Sequence, residues 1–216
     1  MIRLHHTPGS RSLRILWLIE EMGLECQIHS YSLTDGSLRT PEFLALSPAG
    51  RIPALEIEGE VIFESGAIVE YLTELTGQFA PAPRTPERAA FLSWVHFAET
   101  QANILQALNI HHIFLRPETA RSVPLMQLDT KRLAVTMKAL ERHLAGREWL
   151  LSEFSAADCM LGFNLDAMFR FVRAEGFPAI MAYRARAQAR PAYQRALARA
   201  GGDAIYAKDF YEVPDV

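Results

Sequence analysis

Arg51-Ile52-Pro53-Ala54-Leu55-Glu56-Ile57-Glu58-Gly59-Glu60-Val61-Ile62-Phe63-Glu64-Ser65-Gly66 reads as a proline-led strand, a compact turn, a second strand and the start of a helix. Ala54–Ile57 and Val61–Phe63 are short apolar runs parted by Glu58-Gly59-Glu60, which predicts an antiparallel hairpin. Ser65 then opens a helix that runs to about Thr76. Upstream, Ile2, Leu4 and His6 alternate with Arg3 and His5 as a strand. Pro8-Gly9-Ser10 breaks that run, and Leu13, Leu16, Trp17 and Glu20 follow at helical spacing up to Gly23. Cys26 to Tyr31 alternates as another strand, and a short helix is expected around Pro41 to Leu46.

The order βαβ followed by ββα is that of the thioredoxin-like fold, an order that several small α/β folds share. Downstream, Gln78 to Pro86 carries Pro81, Pro83 and Pro86, cannot continue a helix, and separates segments of different period. Beyond it the apolar spacing is helical throughout, as in Phe91, Trp94, Val95, Ala98, Ala102 and Leu105, or Leu133, Met137, Leu140 and Leu144. The expected architecture is therefore α/β plus all-α: a thioredoxin-like domain over residues 1–77, a linker over 78–87, and a helical bundle over 88–216. Arg184 to Arg199 reads as two helices broken near Pro191.

The bulk numbers restrict function. With 216 residues, half of them apolar, the chain buries a core without a disulfide or metal staple. A net charge of −3 leaves no basic excess for phosphates or an anionic membrane, so neither nucleic acid nor membrane is an expected partner. The first residues lack the apolar core of a secretion signal, which points to a cytoplasmic protein. The two cysteines, Cys26 and Cys159, show no CxxC and no metal spacing, and both are expected as small core residues. Adjacent histidines, as in His5-His6 and His111-His112, diverge on a strand or helix, so no metal site is expected.

Pro53 stands directly before a strand, where its missing N–H wastes a ladder bond unless the position serves something else. A cis Ile52-Pro53 bond turns the Ile52 N–H and C=O outward, free to pair with an extended peptide as an added strand would. Taken alone, such a proline is more often trans. Glu64-Ser65 at a helix start places a hydroxyl and free backbone N–H groups where a ligand carboxylate would bind, with Glu64 for an amino group. A plain N-cap at Ser65 is the alternative.

Taken together, Gly50-Arg51-Ile52-Pro53-Ala54-Leu55 and Glu64-Ser65-Gly66-Ala67-Ile68 resemble the glutathione-site signature of cytosolic glutathione transferases. Phe154-Ser155-Ala156-Ala157-Asp158 adds a second mark of that family, an S-x-x-D capping box at a buried helix start. The resemblance spans nearly the whole chain. It implies that Arg51, Ile52, Pro53, Glu64 and Ser65 hold glutathione, the γ-glutamyl end on Glu64-Ser65 and the cysteinyl part on Ile52. It further implies a homodimer, with Glu99 of the first long helix reaching the partner subunit's glutathione, and an apolar electrophile as second substrate.

In such an enzyme glutathione is a co-substrate that supplies the nucleophile, and no metal is needed. A thiol of pKa about 8.5 is only a few per cent ionised at neutral pH, and lowering it by about two units takes roughly 2.7 kcal/mol of preference for the anion. The loop Thr7-Pro8-Gly9-Ser10-Arg11-Ser12-Leu13-Arg14, beside a helix N-terminus, is the expected source. Ser10 is the first candidate, because its spacing to Arg14 resembles the serine-type transferases and the surrounding residues resemble a bacterial and fungal subgroup. Ser12 is the rival donor. Arg11 is a third candidate, on an alignment with the cysteine position of the bacterial β-type enzymes. Either serine could instead be a helix cap. The loop has no cysteine or tyrosine, which argues against glutaredoxin-type exchange and cysteine-dependent reduction.

Trp94, His96, Phe97, Glu99, Asn103, Leu108 and Phe114 are assigned to the first long helix and, for the most part, to the core. The tail Ala204 to Tyr211 is a candidate lid for the second-substrate pocket, with surface packing as the alternative. The expected activity is conjugation of the glutathione thiolate to electrophilic small molecules. The alternatives are glutathione-dependent peroxide reduction or isomerisation, and a non-catalytic protein-binding module of the same fold.

Overall fold

The computed structural model describes residues 1–202 and 205–214. The first half holds β1 (Ile2–His6), α1 (Ser12–Met22), β2 (Cys26–Ser30), α2 (Pro41–Leu46), β3 (Ala54–Ile57), β4 (Glu60–Phe63) and α3 (Ser65–Thr76). These strands form one mixed sheet of order β2-β1-β3-β4, with β1 parallel to β2 and antiparallel to β3, and β3 antiparallel to β4. This is the expected thioredoxin-like arrangement. The second half is helical: α4 (Arg88–Asn109), α5 (Val123–Leu144), α6 (Ala156–Ala167), α7 (Pro178–Gln188) and α8 (Pro191–Ala200). The break near Pro191 separates α7 from α8, since a proline is tolerated at a first helical position but not inside a helix.

Helix α1 explains how the two halves meet. Its sequence is apolar nearly all round, and Ile15, Leu16, Trp17, Leu18 and Ile19 are all fully buried. One side packs on β1 and α3 and the other on α6 and α8, so no face is left for solvent. The approach to α6 is close enough to require Gly162, where a Cβ would stand 2.3 Å from a ring carbon of Trp17. At the C-terminal end of α1, Glu20 pairs with Arg195 and Arg199 of α8, while Glu21 pairs with Arg190.

The capping box opens α6 as expected. Asp158 is fully buried, and its carboxylate accepts from Ser155 N at 2.8 Å, Ser155 Oγ at 3.1 Å, Leu150 N at 3.1 Å and the Tyr183 hydroxyl at 2.7 Å.

Several expectations are corrected. β2 stops at Ser30, and Tyr31 lies beyond it. Cys159 is buried, while Cys26 is half-buried and packs against the edge of the core. α4 ends at Asn109 and gives way to a π turn over Ile110–Phe114, so Phe114 leaves the helix and is exposed. Of the seven side chains assigned to the first long helix, most of them expected in the core, only Leu108 is fully buried, while His96 and Asn103 are exposed. Helical spacing alone cannot tell which of two broad faces a neighbour will cover. In the tail, Ala204 lies outside the described residues. Tyr211 is buried against Phe171, and its N–H donates to the Arg170 carbonyl at 2.8 Å.

Candidate active site

Two hydrogen-bonded networks start from the loop between β1 and α1. The first runs inward. Ser10 Oγ lies 2.7 Å from Ser12 Oγ, and Ser12 Oγ lies 2.7 Å from His6 Nδ1. His6 Nε2 in turn lies 2.8 Å from the carbonyl oxygen of Ala200, the last residue of α8. His6 and Ser12 are buried, whereas Ser10, the outer end of the chain, is half-buried. Burial pushes the His6 ring below the usual imidazole range, with the Ala200 carbonyl acting in the opposite sense.

The second network is ionic and runs toward α4. Arg14, a charged residue in the apolar run of α1, has no solvent exposure. Its guanidinium donates to Ser65 Oγ at 3.1 Å, Glu99 Oε1 at 2.5 Å, the Ala98 carbonyl at 3.2 Å and Asn164 Oδ1 at 2.9 Å. Arg11 donates to Glu99 Oε2 at 2.9 Å, Asn103 Oδ1 at 2.9 Å and Gln106 Oε1 at 2.8 Å. Arg51 reaches the same Gln106 oxygen at 3.3 Å. Burial pulls Arg14 down to about 10, with Glu99 opposing. Burial pushes Glu99 up, but Arg14, the Ser65 hydroxyl and Arg11 outweigh it and hold the carboxyl below its usual range. Two guanidinium groups on one carboxylate leave a net positive charge.

The sequence candidates are thus distributed over the two networks. Ser10 and Ser12 belong to the first, and Arg11, Arg51, Ser65 and Glu99 to the second. Ser65 is not a cap. The cap position of α3 is taken by Glu64, in the left-handed region at φ 71°, and the Ser65 hydroxyl donates instead to Glu99. Glu64 is exposed. Ile52 and Pro53 stand at the entry to β3, and the bond between them is cis. The loop before them is set by Gly50, whose φ of 60° and whose close approach to Arg39 and the Leu38 carbonyl leave no room for a Cβ. Ser47 Oγ accepts from the Arg51 N–H at 3.2 Å and fixes the other end of that loop.

Residues 1–74 match the family of the glutathione S-transferase N-terminal domain. Over 183 residues the chain is 31% identical to glutathione S-transferase 3 of Schizosaccharomyces pombe, covering 79% of this chain and 75% of that one. The chain belongs to the glutathione S-transferase family. A second relative is the disulfide-bond oxidoreductase YfcG of Escherichia coli, 32% identical over 211 residues, covering 93% of this chain and 96% of that one. Among solved structures, a glutathione transferase from Burkholderia graminis with two glutathione molecules bound per subunit has a TM-score of 0.83 at 27% identity, covering 91% of this chain and 87% of that one.

Within this transferase fold, sequence reading gave no site role to His6, Arg14, Gln106 or Asn164. Arg14 carried a signal, being a lone charge inside the apolar run Leu13 to Ile19 of a helix buried on both sides. His6 carried a weaker one, since it shares the strand face of Ile2 and Leu4 while His5 turns the other way to Glu56 and Tyr31. Among the described residues, no cluster of three or more His, Cys, Asp or Glu side chains could hold a metal ion, and no helix is long and apolar enough to cross a membrane.

Proposed function

We propose that this protein is a serine-type glutathione transferase whose Ser10 hydroxyl stabilises the glutathione thiolate for attack on an apolar electrophile. The observation that carries the reading is the position of Ser10. It is the accessible end of a buried hydroxyl chain, two residues before the first residue of α1, where the helix favours negative charge. Ser12 is fully buried and supports Ser10 from behind. Arg11 is engaged with α4 and contributes positive potential rather than a bond to sulfur.

Residues 1–77 form the glutathione-binding domain, 78–87 the linker and 88–216 the helical domain. Ile52 and Pro53 hold the cysteinyl backbone, Glu64 and Ser65 the γ-glutamyl end, and Arg51 and Glu99 frame the site. For Ser65 to serve a ligand carboxylate, its hydroxyl must leave Glu99, whose carboxylate then turns to the ligand's ammonium group. The protein acts in the cytoplasm as a homodimer.

The similarity to a disulfide-bond oxidoreductase over nearly the full length supports a second reading, glutathione-dependent disulfide reduction. There two glutathione thiols are oxidised to glutathione disulfide as a substrate disulfide is reduced to two thiols. No protein cysteine takes part in that scheme: Cys159 is buried with its thiol pushed well above the ordinary range, and burial raises Cys26 too.

Retention on immobilised glutathione and conjugation of an activated aryl halide, compared between parent and Ser10→Ala, test the first reading. Ser10→Ala is expected to retain glutathione binding and to lose about 100-fold in kcat/KM. Absence of both binding and conjugation in the parent would sink it, and so would a Ser10→Ala enzyme that matches the parent. Turnover of a model disulfide but not of the aryl halide would select the second reading.

A further inference from the structure

We propose that His6 is the proton acceptor for the thiol activated at Ser10, reached through the Ser10 and Ser12 hydroxyls, so that a relay performs the ionisation step. The inference rests on the glutathione-transferase reading given above. It follows from which atoms can donate. The Ala200 carbonyl can only accept, so His6 Nε2 carries a hydrogen. In the neutral ring, Nδ1 is then a lone pair, and its partner at 2.7 Å, Ser12 Oγ, must donate to it. The one hydrogen of Ser12 is thereby used, and the 2.7 Å contact between the serines requires Ser10 to donate to Ser12.

In this resting state the single hydroxyl hydrogen of Ser10 points into the protein, one lone pair accepts from the Ser12 N–H at 3.3 Å, and the other is left for an incoming donor. Such a group accepts from S–H but cannot solvate a thiolate. The two requirements are met in one displacement. The sulfur gives its proton to Ser10 Oγ, Ser10 gives its own to Ser12 Oγ, and Ser12 gives its own to His6 Nδ1. Each oxygen keeps one hydrogen, sulfur keeps the electron pair and one negative charge, and His6 becomes imidazolium. Every hydroxyl now points the other way, and Ser10 donates to the thiolate it has created. Once the sulfur is consumed as thioether, no negative charge holds the proton in place. It returns along the same hydroxyls to water at Ser10.

The fold supplies a counterweight for the buried cation. Ala200 is among the last four residues of α8, whose carbonyls have no helical partner and form the negative end of the helix dipole. The end of α8 also lies against the loop, since a Cβ at Gly201 would come within 3.6 Å of Pro8. Several charged side chains on the elements next to His6 are paired with one another. On α1 and α8, Glu20 pairs with Arg195 and Arg199, and Glu21 with Arg190. On β1 and β2, His5 pairs with Glu56 and stacks with His29. Burial opposes the cation, so the proton leaves His6 once the thiolate's negative charge is gone.

The test uses the full-length protein with 15N-labelled histidine, the His6 signal being assigned by its absence in His6→Gln. At neutral pH, glutathione should give a thiolate absorbance band and protonate His6 at Nδ1, while S-methylglutathione, which has no thiol proton, should do neither. Ser12→Ala should raise the thiol pKa of bound glutathione by about one unit and lower kcat/KM about tenfold below that pKa, with KM little changed. Ser12→Thr should restore both. If the parent shows the thiolate band while His6 stays unprotonated at Nδ1 with either ligand, the relay is wrong and the transferase reading stands. If the parent shows no thiolate band, the transferase reading itself fails. Should Ser12→Ala not fold, the comparison of glutathione with S-methylglutathione on the parent decides alone.

Discussion

Arg14 shows how much one buried charge can organise. Its guanidinium bonds Ser65, Glu99, the Ala98 carbonyl and Asn164, tying α1 to α3, α4 and α6 at one point. Replacement by methionine keeps the volume but leaves the Glu99 carboxylate short of a partner in a mostly buried position. Arg14→Met is expected to destabilise the protein by about 3–5 kcal/mol, read as a fall in the urea midpoint at unchanged slope. Arg14→Lys should recover only part of this, because a lysine cannot span four acceptors with a planar fork. A variant as stable as the parent would show that the four contacts contribute little. Arg14 was visible as an anomaly in the sequence, but its partners lie 51 to 150 positions away and no local pattern names them.

At the scale of elements, α6 is fixed at its start by a carboxylate and along its length by the absence of a side chain. Asp158→Ala strands the Leu150 and Ser155 N–H groups and the Tyr183 hydroxyl in a dry site. The expected cost is about 3 kcal/mol or more by urea unfolding, and a loss under about 1 kcal/mol would refute the role. Gly162→Ala inserts a methyl group against Trp17, which is fully buried and has no free direction to move. It should cost about 1–3 kcal/mol and shift the tryptophan emission in the folded state. The box was legible because its two residues are three apart. The need for Gly162 was not, because Trp17 comes from a different helix in the other half of the chain.

For the molecule as a whole, acid stability follows from how carboxylates are held. Burial pushes Glu20 and Glu99 up, but arginine partners prevail and both sit below their usual value, as does Glu56 through its bonds to His5 and Arg3. A carboxylate depressed in the folded state contributes stability that is complete above its unfolded value, near 4.5, and is lost as the pH falls through its folded value. Asp158 acts in the opposite sense, since burial raises it. Burial also holds His5, His6 and His112 below their unfolded value near 6.5, so the urea midpoint should begin to fall as the pH drops below about 6.5 and fall further below about 4.5. Glu99→Gln should be less stable than the parent at about pH 7, and the gap should close in acid. A gap independent of pH would show that the Glu99 charge is not what stabilises the site.

Unaided, the sequence determined what depends on near neighbours: the hairpin after Pro53, the helix starts at Ser65 and Ser155, the break at Pro191 and the change of period after Pro86. These follow from turn chemistry, capping and periodicity, which act over a few residues. Tertiary structure decided the rest. It sent the Ser65 hydroxyl to Glu99 instead of its own helix, turned Arg11 toward α4, and joined Ser10 and Ser12 to His6 and the end of α8. Those bonds link positions up to 194 residues apart. A hydroxyl or a guanidinium takes whichever partner the fold brings within about 3 Å, and only the packing of α1 between the sheet and the helical half settles which partner that is.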